Sequence, residues 1–277
     1  LCTGEPDARA SMRVERSLLF GSQVGFDSLR GSACDVRLTD SSVRESNGDA
    51  IVLERDSTLV FVNGIVDNSR GLALSADGGS VQIERALFFD NCQGGIALNL
   101  TDFTIRNNVI AFNGDDSDAG ACPPSGFGGI RIQNDGPNVR EFSFNTVVGN
   151  AKQESIGGAS GVLCQTSAPI EIENSIIWDN TKGTAIDDVQ VSGFCDVSYS
   201  NVQGGVIGAP MLPGLIAGDG IIDTNPLFVD PFRYDYRLMP ESPAKDAANP
   251  EATVTIDFDG NERPIDGRHD MGAFEVQ

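Results

Sequence analysis

The sequence predicts an all-β protein: a single-stranded right-handed parallel β-helix, a solenoid with about 22–24 residues per turn and an irregular C-terminal cap. Three observations lead to this prediction. One short sequence pattern recurs along the chain, apolar and amide positions repeat with it, and the composition is rich in glycine. The 277 residues include 32 Gly but only 15 Phe, three Tyr and one Trp. Such a composition suits short strands joined by tight turns better than a helical bundle.

The recurring pattern is an apolar alternation, then a small or amide residue, then an aliphatic residue and a closing Asn or Ser. It reads VQIERALFFDN at 81–91 and IEIENSIIWDN at 170–180. The closing residues that we align are Ser22, Ser46, Asn68, Asn91, Asn113, Asn150 and Asn180. Their spacings are 24, 22, 23, 22, 37 and 30 residues. Four of these are nearly constant, and the last two indicate one turn plus an insertion.

Two columns of this alignment have a direct physical interpretation. Three places before the closing residue, every position is apolar: Leu19, Val43, Ile65, Phe88, Ile110, Val147 and Ile177. Five places before it, every position is small or an amide: Ser17, Ser41, Asn63, Ala86, Asn108, Asn145 and Ser175. The first column predicts a continuous core. The second predicts a ladder of buried amides at a bend, each bonded to the next turn.

A second strand follows each closing residue, for example GLAL at 71–74 and GIAL at 95–98. These intervals leave no room for the crossover helices that parallel strands normally need. A coil in which each turn lies on the previous one removes that need and buries a core that no single repeat could bury. We therefore prefer stacked turns to a β-sandwich.

At these residues the chain resembles the right-handed parallel β-helix repeat proteins of bacterial envelopes and secretions. The repeat covers 12–202, and the tail, with TNPLFVDPFRYDYRLMPESPAKDA at 224–247 and DFDGNERPIDGRHDMGAFE at 257–275, resembles the closing segment of such proteins. The resemblance implies β-helix turns over 1–205 and a capping segment over 206–277. It also implies a secreted or cell-surface location.

Charge and cysteine content narrow the function classes. The formal net charge is −21, from 40 acidic and 19 basic residues, which argues against nucleic-acid and anionic-membrane partners. Six cysteines without a CxxC pair indicate disulfides and an oxidising compartment. We predict pairing between neighbours, Cys2–Cys34, Cys92–Cys122 and Cys164–Cys195, with buried reduced thiols as the alternative. No stretch is long and apolar enough to span a membrane, and we interpret the chain as the monomeric mature product of a longer secreted precursor.

Carboxylates provide one set of candidate site residues. Glu45, Asp67 and Asp90 lie one place before three consecutive closing residues. Asp179 occupies the same position in a later repeat. Stacked strands lie ~4.8 Å apart, so such a column could act as a glycosidase pair or bind Ca²⁺. The alternative is a solvent-facing column beside a turn. Asp257 and Asp259 resemble half of a calcium loop, although a simple glycine turn explains the same residues.

The two insertions, 114–129 and 151–161, provide the other set. They leave neighbouring turns at the same corner, so we expect them to stand side by side and wall a site. Asp115 and Asp116 on the first insertion and Trp178 nearby are candidate ligand-binding residues, and Lys152 is a candidate base. The alternative is a surface loop pinned by a disulfide. The single histidine, His269, lies within the predicted cap, and we expect it to be structural.

Two function hypotheses remain open. The first is a secreted or cell-surface β-helix module that binds carbohydrate or acts as an adhesive or structural element. The second is a polysaccharide-degrading enzyme, a glycoside hydrolase or a polysaccharide lyase. It would use Asp67, Asp90, Asp179 or Lys152, with Ca²⁺ as the expected cofactor if one is needed. A convergent pair of carboxylates, or a base with Ca²⁺ in a groove, would favour the second hypothesis.

Overall fold

The structure is a computed structural model. It describes residues 1–5, 7–22, 27–114, 122, 126–133, 139–152, 158–183, 185–186, 189–206, 214–265 and 267–277. Within these residues the regular structure is almost entirely β-strand, and the strands of successive turns pair in parallel. The predicted parallel β-helix is confirmed.

The strands follow one another in chain order around the coil. The first four turns contain β1 Cys2–Thr3, β2 Ala10–Glu15, β3 Leu18–Phe20, β4 Leu29–Ser32, β5 Cys34–Thr39, β6 Ser42–Arg44, β7 Ile51–Glu54, β8 Thr58–Asp67, β9 Leu72–Asp77 and β10 Ser80–Phe89. The later turns contain β11 Gly94–Asn99, β12 Asp102–Arg106, β13 Val109–Ala111, β14 Ile130–Gln133, β15 Arg140–Ser143, β16 Thr146–Val148, β17 Ala151–Lys152, β18 Val162–Gln165, β19 Ile170–Glu173, β20 Ile176–Trp178, β21 Thr181–Lys182, β22 Ala185–Ile186, β23 Val191–Gly193, β24 Cys195–Ser198, β25 Asn201–Val202 and β26 Ile216–Ala217. The tail adds β27 Phe228–Asp230, a 3₁₀ turn at Pro231–Arg233 and β28 Asp235–Leu238.

Each turn contributes a strand to three parallel stacks. One stack is an eight-stranded sheet in the order β1-β4-β7-β9-β11-β14-β18-β23. The other two share a larger sheet because β8 and β10 continue without a break around the corner between them. We call the stack that contains β13, β16 and β20 the flank, because the C-terminal tail packs against its outer face.

The corners are made by residues in the left-handed backbone region. At the corner that follows the flank, Glu45, Asn68, Asp90, Phe112 and Asp179 have φ between 52° and 55°. One such residue between two strands turns the chain sharply without a long loop. The consequence for function is that side chains at this corner lie in a row along the outside of the coil.

The structure corrects the predicted alignment by one residue in a single turn. Asp67 pairs with Phe89 and Arg44, and the backbone N–H of Ser69 donates to the Asn91 side chain. The closing residue of that turn is therefore Ser69, and its core residue is Val66 rather than Ile65. Both alignments give spacings of 22 and 23 residues, so spacing alone could not decide between them.

Two buried amide ladders join the turns, as predicted. In the first, the side-chain amide of Asn113 donates to Asn150 Oδ1 at 3.0 Å, and that of Asn150 donates to Asn180 Oδ1 at 2.9 Å. In the second, Asn108 donates to Asn145 Oδ1 at 3.0 Å. Each amide also binds backbone groups, for example Asn150 Nδ2 to Ile110 O at 2.8 Å. The ladders satisfy polar backbone at corners that the core removes from water.

The core and the disulfides follow the stacked arrangement. Phe88 and Ile110 are fully buried, and Phe88 meets Phe61 edge to face with ring centroids 6.0 Å apart. The disulfides are Cys2–Cys34, Cys92–Cys122 and Cys164–Cys195. The predicted pairing of neighbouring cysteines is confirmed. Among the described residues, no helix is long and apolar enough to cross a membrane.

The tail has two parts with different positions. Ile216–Ala217 adds a strand to β24, and Ile222 bridges to Asn201, so strand pairing extends beyond the predicted boundary at 205. After Pro226 the chain runs along the outside of the coil, where Phe228, Tyr236 and Met271 pack on the flank. The Pro-rich segment thus lies along the flank rather than over the open end of the coil.

A buried polar network fixes the tail to the flank. The Arg263 guanidinium lies 4.6 Å above the Phe144 ring and donates to Asn107 Oδ1 at 3.0 Å. Its Nε is 3.3 Å from Glu275 Oε2 in a buried ion pair. The Asp270 carboxylate accepts backbone N–H groups of Asp246 and Val276, both at 2.7 Å. These contacts hold a segment that contains little regular structure of its own.

His269 belongs to the same region. It is buried, its Nε2 lies 2.7 Å from the Val254 carbonyl oxygen, and its ring packs against Phe144. Burial lowers the pKa of His269, so the imidazole is neutral at pH 7 and donates one hydrogen bond within the tail.

The amide ladder yields a stability prediction. Replacing Asn150 by Ala removes the acceptor for Asn113 and leaves buried backbone carbonyls without donors. We expect Asn150→Ala to lower the free energy of unfolding by about 2–4 kcal/mol in urea titration. The matched control is Asn99→Ala at the partly exposed end of β11, which should change it by less than about 0.5 kcal/mol. Equal effects for the two variants would contradict the structural role of the ladder.

The tail network yields a prediction about pH. Burial raises the pKa of Asp270 from 3.8 to about 6, an effect that its two backbone hydrogen bonds only partly offset. Between these values the folded protein binds more protons than the unfolded chain, so stability falls as pH rises from about 4 to about 6. The full effect corresponds to about 3 kcal/mol.

Urea titrations at several pH values test this prediction. Asp270→Asn removes one hydrogen-bond acceptor, which lowers stability equally at every pH, and it should flatten the slope of stability with pH in this window. An unchanged slope in this variant would show that Asp270 does not titrate there.

Candidate functional site

A groove of about 480 Å³ lies between the flank of the coil and the hairpin of the tail, residues 228–238. We call it the aromatic groove. Its lining residues are Phe112, Val148, Gly149, Ala151, Asp179, Thr181, Pro231, Phe232, Tyr234 and Tyr236. Four of the ten are aromatic, and among the described lining residues Asp179 is the only charged one.

The wall on the coil side follows from the stacking of corners. Phe112, Gly149 and Asp179 occupy the same left-handed corner on three successive turns. The Phe112 N–H donates to Val148 O at 3.2 Å, and the Gly149 N–H donates to Trp178 O at 3.3 Å. Gly149 places no side chain between the other two, because a Cβ there would lie 2.9 Å from the Phe112 ring.

The opposite wall is the tail hairpin. Tyr234 closes the 3₁₀ turn with φ 63° and packs edge-on against Phe89 and Phe112, with ring centroids 4.7 and 5.4 Å apart. Tyr236 is buried against Phe228, with centroids 5.3 Å apart. Phe232 stands at the tip of the turn with 93% of its surface exposed. The aromatic contacts thus fix the hairpin while leaving one ring open to solvent.

Asp179 and Tyr236 are lining residues of this groove that carry a polar group. Asp179 is exposed at the rim, and its backbone N–H donates to Gln203 Oε1 at 2.7 Å. Burial of one side of the carboxyl raises the pKa of Asp179, and the contact with Gln203 opposes that rise. The Tyr236 hydroxyl is buried and has no hydrogen-bond partner among the described residues. Burial also raises the pKa of Tyr236, so the hydroxyl keeps its proton and can donate.

Two further grooves adjoin the aromatic groove. One, of about 390 Å³, lies beside Trp178 and Gln203 and shares Asp179 and Pro231 with it. The other lies on the far side of Tyr234 and Tyr236 and contains the carboxylates of Asp235 and Asp259. There Arg237 binds Asp235 through two hydrogen bonds of 2.8 Å, and these bonds lower the pKa of Asp235.

The structure brings some of the predicted site residues together and separates others. Trp178 and Asp179 lie together at the rim of the grooves. Lys152 is buried in β17, beside Ala151 of the groove lining. Asp115 and Asp116 lie outside the described residues. The described ends of the two insertions do meet, since the Gly128 and Gly129 N–H groups both donate to Ser160 O.

The predicted column of Glu45, Asp67 and Asp90 is wrong in its register. Glu45 and Asp90 occupy the left-handed corner, whereas Asp67 lies one residue earlier, at the end of β8. Asp67 is buried and binds Arg44 through two hydrogen bonds of 2.7 and 2.6 Å. The assumed stack of three carboxylates therefore does not form.

The other predicted metal ligands have local partners or are dispersed. The Asp257 carboxylate is buried and accepts backbone N–H groups of Asn261 and Glu275 at 2.8 and 3.1 Å, while Asp259 is exposed. No group of three or more potential metal ligands occurs among the described residues. A divalent cation at Asp67 or Asp257 would have to replace these bonds, and the metal role of all five residues stays a prediction.

Sequence reasoning missed most of the aromatic wall. Phe232, Tyr234 and Tyr236 belong to the tail, which was interpreted only as a cover for the coil end. The alternating aromatics in FRYDY at 232–236 were the available signal. The 3₁₀ turn at Pro231–Arg233 and the left-handed Tyr234 interrupt the strand, so only Tyr234 and Tyr236 pack toward the coil and Phe232 stays exposed.

Comparison with known proteins supports the fold. A family described as "Right handed beta helix region" matches residues 24–188, more than half of the chain. The chain belongs to this right-handed β-helix family. No curated protein matches it. Among solved structures, the crystal structure of pectate lyase Pel9A is similar, with a TM-score of 0.47 and 12% identity over 90% of this chain and 73% of that chain.

The described lining of the aromatic groove is mainly apolar. Glycoside hydrolysis needs two carboxyl groups on either side of one bond, and among the described residues the aromatic groove contains one. None of its described lining residues is Lys or Arg. The groove offers apolar ring surface and a carboxylate acceptor at its rim, and the buried Tyr236 hydroxyl lies behind this surface. This combination is typical of small-molecule sites.

The unpartnered Tyr236 hydroxyl gives a test of whether the groove is built for a ligand. A buried donor without an acceptor destabilises the fold, so Tyr236→Phe should raise the free energy of unfolding by about 1 kcal/mol. The same variant should bind any hydroxylated groove ligand less tightly. Tyr199 lies outside the groove, so Tyr199→Phe is the comparison variant. It should leave the affinity for the groove ligand unchanged. A destabilised Tyr236→Phe would mean that the hydroxyl has a structural partner.

Proposed function

We propose that this protein is a secreted or cell-surface β-helix module that binds carbohydrate in the aromatic groove. The observation that carries the proposal is the groove itself: aromatic rings on both walls, an exposed ring at the rim, and a carboxylate that forms no ion pair with a described residue. Sugar rings present apolar C–H faces, which pack on aromatic faces, and hydroxyl rims, which donate and accept hydrogen bonds.

Secretion is supported by the disulfides and the charge. All six cysteines are paired, and disulfides form and persist mainly in oxidising compartments. A net charge of −21 keeps such a protein soluble and discourages self-association. An extracellular module that meets polysaccharide at a surface is compatible with both properties.

The alternative function, polysaccharide degradation, has less support. Burial raises the pKa of Asp179, which is the direction of shift that favours a general acid. Its partner would have to come from outside the described groove lining, because Asp235 lies in another groove and is bound by Arg237. A lyase would need a base, and Lys152 is buried.

The exposed ring at the rim allows a clean test. Phe232→Ala removes a side chain with almost no packing role, so folding should be unchanged. We expect glycan affinity to fall about tenfold, since an aromatic contact contributes about 1 kcal/mol beyond the area it buries. A glycan array would identify a ligand, and calorimetry would measure the loss.

The matched control is Phe20→Ala, which removes another exposed ring from the far end of the coil. It should leave affinity unchanged. Equal losses in both variants, or no binding on the array, would contradict the proposal. Release of reducing or unsaturated sugar by the wild type, abolished in Asp179→Asn, would instead favour the enzyme.

A further inference from the structure

Charge distinguishes the aromatic groove from an ordinary neutral sugar site. Asp179 is the only charged side chain among the described residues that line either the aromatic groove or the adjoining Trp178 groove. Its carboxylate forms no ion pair with any described residue. Asp35, Asp67 and Asp235 each bind an arginine, whereas Asp179, like most described carboxylates of this acidic chain, does not. The site therefore presents one unneutralised negative charge to whatever enters.

The surroundings of Asp179 strengthen its attraction for a cation. Aromatic and apolar walls remove water from one side of the carboxyl, and charges interact more strongly where water is excluded. The raised pKa of Asp179 reflects the same loss of water. The faces of Phe112, Phe232 and Tyr234 add to the effect, because aromatic rings attract cations placed above them.

The same features oppose an anionic ligand. A uronate carboxylate in this groove would meet Asp179 with no arginine or lysine in the described lining to offset the repulsion. The net charge of −21 adds a long-range term of the same sign, although salt screens it beyond about 10 Å.

On the basis of the proposed function, we infer that the groove selects glycans whose sugars carry a protonated amine over neutral and uronate glycans. The ammonium group binds the Asp179 carboxylate while the sugar ring packs on the aromatic walls. Asp179 thus gives the preference for a cationic ligand. The aromatic rings give the preference for a sugar.

Calorimetry with four matched oligomers tests the inference just below neutral pH. The probes are a β-1,4-linked glucosamine hexamer, the same hexamer fully N-acetylated, a galacturonate hexamer and a lysine hexamer. We expect wild-type protein to bind the glucosamine hexamer about tenfold more tightly than the acetylated one, and the galacturonate hexamer least tightly.

Two variants separate the local charge from the overall charge. Asp179→Asn preserves the left-handed corner, because Asn tolerates that conformation, and should reduce the preference for the amine to about twofold or less. Asp40→Asn makes the same change of net charge at another exposed left-handed corner and should keep the preference intact.

Each result decides one of the two proposals. Equal binding of the amine and acetylated hexamers, weakened by Phe232→Ala, would overturn the inference and leave the proposed function standing. Tight binding of the lysine hexamer, unaffected by Phe232→Ala, would show that the protein attracts any cation and would overturn the inference. Tightest binding of galacturonate would overturn it as well. Binding of no glycan would contradict both proposals.

Discussion

Parallel pairing of each turn with the next is the constraint on which the rest of the structure depends. Once the backbone coils at a spacing of ~4.8 Å, a side chain at a given corner has the equivalent residue of the next turn as its nearest neighbour. Inward corners then need groups that can bond to copies of themselves, and Asn serves because it both donates and accepts. Asn91, Asn113, Asn150 and Asn180 form such a series.

The same constraint builds one wall of the candidate site. A row of left-handed corner residues faces outward along the coil, and its members can vary because they contribute little to the core. Phe112 and Asp179 use this freedom, with Gly149 between them. The coil alone, however, offers only a ridge. A groove exists because the tail runs back along the flank, where the Arg263 guanidinium donates to Asn107 Oδ1 and the Ala273 N–H donates to Thr146 Oγ1.

The sequence could predict the repeating coil but not the contacts of the non-repeating tail. Repetition reveals the coil, its core columns, the amide ladders and the neighbouring disulfides, because each is repeated and therefore visible. The register of one turn was lost where Asn68 and Ser69 both fit the closing position, and a one-residue slip exchanges inward and outward side chains. That slip brought Asp67 into a carboxylate column that it does not join. The tail occurs once, so no repetition could reveal that Tyr234 and Tyr236 pack against the coil.

The placement of the groove outside the repeat also explains why fold likeness is a poor guide to this site. The repeat fixes the positions of the outward-facing corner residues. The tail, which does not repeat, supplies the residues on the opposite wall of the groove. A change in a few hairpin residues would alter the ligand without altering the coil, since Phe232 is almost fully exposed and the Tyr236 hydroxyl bonds to no described residue. Both are unfavourable choices for stability alone. Their presence on one face, opposite an unneutralised carboxylate, is physically reasonable if the groove is normally filled.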